Sequence, residues 1–168
     1  MKVELRKWNL AYAQDLQLAA DNAKIAAKLR DAFPHPFTIE HATEYITKCR
    51  QLADKVSFCR AIVIDGKAVG VVGIMQGEDI YSVSAELNFF LAEEYWGNGI
   101  MTSVIRAISS EAFRHMDIQR INALPFASNT ASRKVLEKAG FKLETVLKNA
   151  YVKYGTVGDL CLYTVYRK

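Results

Sequence analysis

Glu94-Tyr95-Trp96-Gly97-Asn98-Gly99-Ile100-Met101-Thr102 stands between an alternating run, Ser82 to Ala92, and a run of helical periodicity, Ile100 to His115. A strand that feeds a Gly-x-Gly turn and then a helix aims several unpaired backbone N–H groups at one point. Those donors, with the positive end of the helix dipole, suit the phosphates of a nucleotide-like ligand. Glycines there admit the positive φ values such a turn needs and keep side chains clear of the bound oxygens. Thr102 would add a hydroxyl in the first helical turn. A Gly-x-Gly tripeptide alone is an ordinary turn signal; the strand before it and the helix after it make it a cradle.

Before the turn, Val83, Ala85, Leu87, Phe89 and Leu91 share one strand face, with Ser84, Glu86, Asn88 and Phe90 on the other. After it, Met101, Val104, Ile105, Ile108 and Ala112 form the apolar stripe of a helix. Further out, Phe58–Ile64 and Lys67–Met75 flank Asp65-Gly66, a two-residue hairpin signal. The second of these strands is apolar almost throughout and is expected to be buried on both faces. A strand over Lys2–Trp8 and helices over 14–22, 23–33 (Ile25, Ala26, Leu29 and Phe33 inward) and from Thr38 precede them. Thr38 is the expected N-cap, and Ala42, Tyr45, Ile46, Cys49 and Ala53 the buried stripe. A strand over Arg120–Phe126, a helix over Asn129–Ala139 (Ala131, Val135, Leu136 and Ala139 inward) ended by Gly140, and a strand pair around Tyr154-Gly155 close the chain. Strands and helices are mixed without strict alternation, which predicts an α+β sandwich in one domain over residues 1–168.

Composition excludes several classes. Of 168 residues, 51% are hydrophobic and 24% charged, and the net charge is +4, too mild to point to nucleic acid. No apolar run reaches membrane-spanning length and the amino terminus has no signal-peptide pattern, so a cytoplasmic protein without a membrane partner is expected. Three widely spaced cysteines (49, 59 and 161) suggest neither a disulfide framework nor a metal site, but buried free thiols.

A second block, Asn129-Thr130-Ala131-Ser132-Arg133-Lys134-Val135-Leu136-Glu137-Lys138-Ala139-Gly140-Phe141, joins the Tyr-Trp-Gly-x-Gly turn. Together they resemble the GNAT superfamily of acyl-CoA-dependent N-acyltransferases, in particular the branch of ribosomal-protein N-terminal acetyltransferases. The resemblance runs from about Ala61 to Tyr166. The family's usual Gln or Arg three residues before the first glycine is here Glu94. The resemblance implies an α/β/α sandwich on a mixed, mostly antiparallel sheet of about seven strands, with a splayed central pair that opens a slot for the cofactor. The cofactor would be acetyl-CoA, with no metal. Contacts would come from Phe90 and Leu91, from Trp96, Gly97, Asn98, Gly99, Ile100, Met101 and Thr102, and from Asn129, Ser132 and Lys138. Arg133 could also reach the phosphates. The Pro34-His35-Pro36-Phe37 segment would border the acceptor, placing His35 and Phe37 beside it.

Acyl transfer from a thioester to an amine needs a base, donors for developing negative charge and a proton for the thiolate. Glu86, mid-strand with Ser84 and Asn88 on its face, is the candidate base, with those two neighbours as acceptor contacts; the alternative is a solvated or paired surface glutamate. By the resemblance, Ser132 would serve the leaving thiolate and Asn129 the pantetheine; Asn129 or Ser128 could equally be a helix cap. Tyr95 and Trp96 would line the acceptor pocket or anchor the core. The expected activity is direct N-acetylation of a primary amine, either a protein or peptide amino terminus or a small molecule, by a monomer or homodimer. A non-catalytic acyl-CoA sensor is the other reading. A dinucleotide oxidoreductase is disfavoured, because Thr102 stands where Gly-x-Gly-x-x-Gly needs its last glycine.

Overall fold

Asp65 and Gly66 hold φ angles of 49° and 81°, the left-handed pair that turns Ser57–Ile64 (β2) straight back into Lys67–Gln76 (β3). Tyr154 and Gly155, at 50° and 77°, do the same between Lys142–Lys153 (β6) and Thr156–Tyr166 (β7). The remaining strands are β1 (Val3–Lys7), β4 (Ser84–Leu91) and β5 (Arg120–Ala123). The helices are α1 (Ala13–Ala20), α2 (Ala23–Ala26), α3 (Ile39–Gln51), α4 (Ile100–His115) and α5 (Thr130–Lys138). This computed structural model describes residues 1–52, 54 and 56–168, so the expected stripe residue Ala53 lies outside the described residues. The seven strands form one sheet in the order β1-β2-β3-β4-β5-β7-β6. It is mixed: β4 and β5 are parallel, while β1–β2, β5–β7 and β6–β7 are antiparallel. The expected α+β sheet is present. No helix among the described residues is long and apolar enough to cross a membrane.

Contacts divide the chain into two compact units, Met1–Gly73 with Asn88–Ile100, and Ile74–Leu87 with Met101–Lys168. In the first, Leu16, Ala42, Ile46, Ala61 and Val63 are buried with Trp8, Ile25, Phe37 and Phe90 in one apolar cluster. Thr38 caps α3 as expected, but its partner is a histidine. Thr38 Oγ1 accepts from the His41 backbone N–H at 3.3 Å, and His41 Nδ1 accepts from the Thr38 N–H at 3.0 Å. The helix expected over 23–33 is only α2. Prolines at 34 and 36 keep any helix from running past this segment, and a four-residue helix gains little cooperativity. Its inward residues still reach the cluster: Ile25 is buried and Leu29 and Phe33 pack against it.

In the second unit, α4 buries Met101, Val104, Ile105, Ile108 and Ala112. Arg167 donates to the carbonyls of Phe113, Met116 and Ile118 at 2.6–2.8 Å, closing the carboxyl end of α4. Three expectations are corrected here. β5 stops at Ala123, Phe126 making an isolated bridge to Leu160. Ala131 is exposed, because the short α5 fully buries Leu136 and turns the adjoining face outward. Val83, 53% exposed, lies before β4.

Candidate functional site

In β4 the alternation holds at its start, with Ala85 and Leu87 buried and Ser84 and Glu86 half-buried, and breaks after Asn88, where Phe90 and Leu91 are both buried. Its paired register with β5 covers three positions, Ser84–Arg120, Ala85–Ile121 and Glu86–Asn122.

The end of β4 and the turn belong to the first unit. Phe90 packs edge-to-face on Phe33 at 5.1 Å, and its carbonyl lies where a Cβ on Gly70 would come to 2.6 Å. The Phe90 side chain thus serves the core. Trp96 is a strut: its Nε1–H donates to the Leu91 carbonyl at 2.7 Å, and the Lys28 ammonium lies 5.4 Å from the ring centroid. Asn98 Nδ2 donates to the carbonyls of Tyr95 and Trp96 at 3.2 and 3.1 Å, tightening the turn from within. Gly97 and Gly99 hold φ of +76° and +71°, and a Cβ on either would meet nothing within 4 Å. The conformation requires glycine, and the surrounding space is open. Upstream, Glu93 accepts from Asn22 at 2.8 Å and pairs with Lys24, hydrogen bonds that hold its carboxyl below the ordinary range.

The turn runs directly into α4, a sixteen-residue helix with no acidic side chain in its first turn. Its leading N–H groups lack intrahelical acceptors, so this end favours an anion. Ile100 and Met101 anchor it as buried side chains, and Thr102 is half-buried. The residues present therefore fit a phosphate-bearing ligand.

The Pro34–Phe37 segment also lies in the first unit. Asp21 Oδ1 accepts from the Phe37 N–H at 3.0 Å and lies 3.4 Å from His35 Nδ1. Phe37 is 2% exposed and stacks on Phe33 at 4.7 Å, so its ring is occupied by the core, while His35 is exposed. Asn88 is exposed.

The second unit holds Glu86 in a row that the sequence reading missed. Register sets Glu86 opposite Asn122, and Asn122 opposite Thr164. Asn122 Oδ1 accepts from Arg120 Nε at 2.8 Å and from Thr164 Oγ1 at 3.3 Å. Arg120 Nη2 donates to Thr164 Oγ1 at 2.9 Å and to Glu144 at 2.5 Å, and Tyr166 donates to Glu144 at 2.5 Å. Those bonds from Tyr166 and Arg120 hold the Glu144 carboxyl below its ordinary range. Period-two alternation in Arg120-Ile121-Asn122-Ala123 marks a polar face, but only the register aligns it with Glu86. Ser84 donates its hydroxyl to the Tyr81 carbonyl at 3.1 Å.

Asn129, 7% exposed, caps α5: its Oδ1 accepts from the Ser132 N–H at 3.2 Å, and its Nδ2 donates to Ser132 Oγ at 3.0 Å. The backbone donor fixes the amide's orientation, so Nδ2 must be the group facing the hydroxyl. Ser132 Oγ therefore accepts from Asn129 and its own proton points elsewhere. Capping and presentation of a hydroxyl donor coexist in one pair. Arg133 is committed to Tyr163 and the Ala127 carbonyl at 3.1 and 3.0 Å. The Lys138 side chain is exposed, and its carbonyl accepts from Arg106.

The acetyltransferase (GNAT) domain family model matches residues 2–142. The chain is 35% identical over 81 residues to the uncharacterized N-acetyltransferase YoaA of Bacillus subtilis, a match that covers 48% of this chain and 46% of that protein. It is 26% identical over 119 residues to the putative ribosomal N-acetyltransferase YdaF of the same organism, covering 71% of this chain and 64% of that one. The chain thus spans about half of the first relative and less than two thirds of the second. In fold it is similar to RimL, the ribosomal L7/L12 alpha-N-protein acetyltransferase in complex with coenzyme A. The TM-score is 0.88 at 22% identity, over 99% of this chain and 94% of that one. The family match runs through both compact units, and the chain belongs to the GNAT acetyltransferase domain family.

Proposed function

We propose that this protein is an acetyl-CoA-dependent N-acetyltransferase that moves an acetyl group directly to a primary amine, either a protein or peptide amino terminus or a small molecule. The observation that carries the reading is the glycine turn at Gly97 and Gly99, left-handed at both and running into a helix end free of acidic side chains. The names of YdaF and RimL, a putative ribosomal and a ribosomal-protein acetyltransferase, support a protein amino terminus within that acceptor class.

Acetyl-CoA, when bound, supplies an acetyl group activated as a thioester. Backbone N–H groups of residues 97–102 would hold its phosphates, with Trp96 and Asn98 bracing the turn. Glu86 would bind the incoming ammonium and take its proton, a role suited to a half-buried carboxylate beside amide and hydroxyl groups. Ser132, its oxygen already occupied by Asn129, would donate to the departing sulfur. Ser84 and Asn88, which flank Glu86 on β4, and the exposed His35 would contact the acceptor. Positioning supplies much of the remaining rate.

Calorimetric titration of wild type and Gly99→Trp with acetyl-CoA tests this. Micromolar binding by wild type, abolished in a folded variant, is expected, followed by acceptor-dependent thiol release. A folded wild type that binds no acetyl-CoA overturns the proposal.

A further inference from the structure

A cavity of ≈360 Å³ belongs wholly to the first unit and is lined by Trp8, Cys49, Arg50, Asp54, Cys59 and Arg60 among others. That volume lies in the range of small-molecule sites, roughly 300–1,000 Å³. Nothing in the acetyl-transfer reading uses it.

Two observations give the cavity a chemistry. First, Cys49 in the last turn of α3 and Cys59 on β2 are neighbouring free thiols, and both line the cavity. Cys59 is half-buried, not buried as its apolar neighbours suggested. The Cys49 thiol beside it, the Ser57 hydroxyl at 3.5 Å and the Arg60 guanidinium favour the Cys59 thiolate, while the Cys49 thiol, next to that thiolate and buried, is held protonated. Second, the charge is lopsided. Lys7 and Arg60 both pair with Asp54, at 3.0 and 3.1 Å, and Arg50 adds a third cation to the lining.

We propose that Cys59 and Cys49 form a dithiol site for small, carboxylate-bearing disulfides of the oxidised glutathione class. Cys59 attacks one sulfur of the disulfide, forming a mixed disulfide and expelling the other half as a thiolate, which takes up a proton. Cys49 then loses its proton and attacks Cys59 Sγ; an internal disulfide forms and the second thiol departs. Two protein thiols lose two electrons and the small disulfide gains them. The carboxylates meet the cationic lining.

The test treats native protein with oxidised glutathione and follows intact mass and peptide maps. Wild type is expected to lose two hydrogens, with the new bond joining Cys49 and Cys59. Cys49→Ser is expected to stop at one glutathionyl group on Cys59. Cys59→Ser is expected to stay unmodified, as does Cys161, which is fully buried. A readout on wild type alone guards against misfolded variants. Oxidised glutathione should react at least about tenfold faster than the dicationic disulfide cystamine, the low end of what a charged cleft contributes. Equal or faster reaction with cystamine, glutathionylation of a folded Cys59→Ser protein, or a wild-type mixed disulfide that never closes would overturn the proposal.

Discussion

Replacing Asn129 with aspartate separates the two jobs this residue does. One oxygen of the introduced carboxylate can still accept the Ser132 N–H that the native Oδ1 holds at 3.2 Å, so the cap survives. A carboxylate at a helix amino end adds about 0.3–1 kcal/mol through the dipole. The other oxygen cannot reproduce the 3.0 Å donation from Nδ2 to Ser132 Oγ. The hydroxyl must reverse and donate inward, and its proton is then unavailable for the role proposed for Ser132 at the departing sulfur. Asn129→Ala does the opposite: it removes the cap at a cost of about 1 kcal/mol, a fall in melting temperature of about 2–4 °C for a chain of this size, and leaves the hydroxyl free. Thermal unfolding and thiol release with acetyl-CoA and an amine found by screening would be measured side by side. Asn129→Asp should melt within about 1 °C of wild type or above it, with kcat reduced about 10²-fold, as for loss of one well-placed donor. Ser132→Ala should match that kcat. If Asn129→Asp retains full kcat while Asn129→Ala loses it, the residue is a cap alone and the role given to Ser132 is wrong.

Glu86→Gln should bind acetyl-CoA as wild type does and lose kcat about 10²–10⁴-fold; unchanged turnover in calibrated thiol-release assays would point to another base. Gly99→Ala should destabilise the fold by about 1–2 kcal/mol, because φ of +71° is costly with a Cβ, seen in urea unfolding. An effect no larger than that of a surface substitution would show that the turn relaxes. The Glu144 carboxyl is lowered by Tyr166 and Arg120. Its contribution is therefore present above the unfolded pKa, about 4.3, and is lost as pH falls through the lower folded value. The stability gap between wild type and Glu144→Gln should be constant near neutrality and shrink on acidification below about pH 4; a gap that widens there would contradict the assignment.

Local rules carried much of the fold. Asp65-Gly66, Gly97-Asn98-Gly99 and Gly140 supply the positive φ values their turn chemistry announces, and the α4 stripe and the Thr38 cap lie where periodicity and capping chemistry put them. These features depend on residues within one or two turns of each other. Where the expectation failed, a distant partner or a proline decided. The apolar residues that follow α2 are held by the cluster whether or not the backbone is helical, and β5 breaks at Leu124-Pro125, where proline offers the ladder no N–H, before Phe126 rejoins Leu160 in the same register. Alternation along β4 could not say that Phe90 would be claimed by Phe33. The same division runs through the candidate site. The Gly97–Gly99 turn and the Asn129–Ser132 pair are contiguous in sequence and were legible there. The Glu86–Asn122–Thr164 row and the meeting of Cys49 with Cys59 exist only because register and packing bring separate segments together, and no spacing along the chain encodes a hydrogen bond between strands.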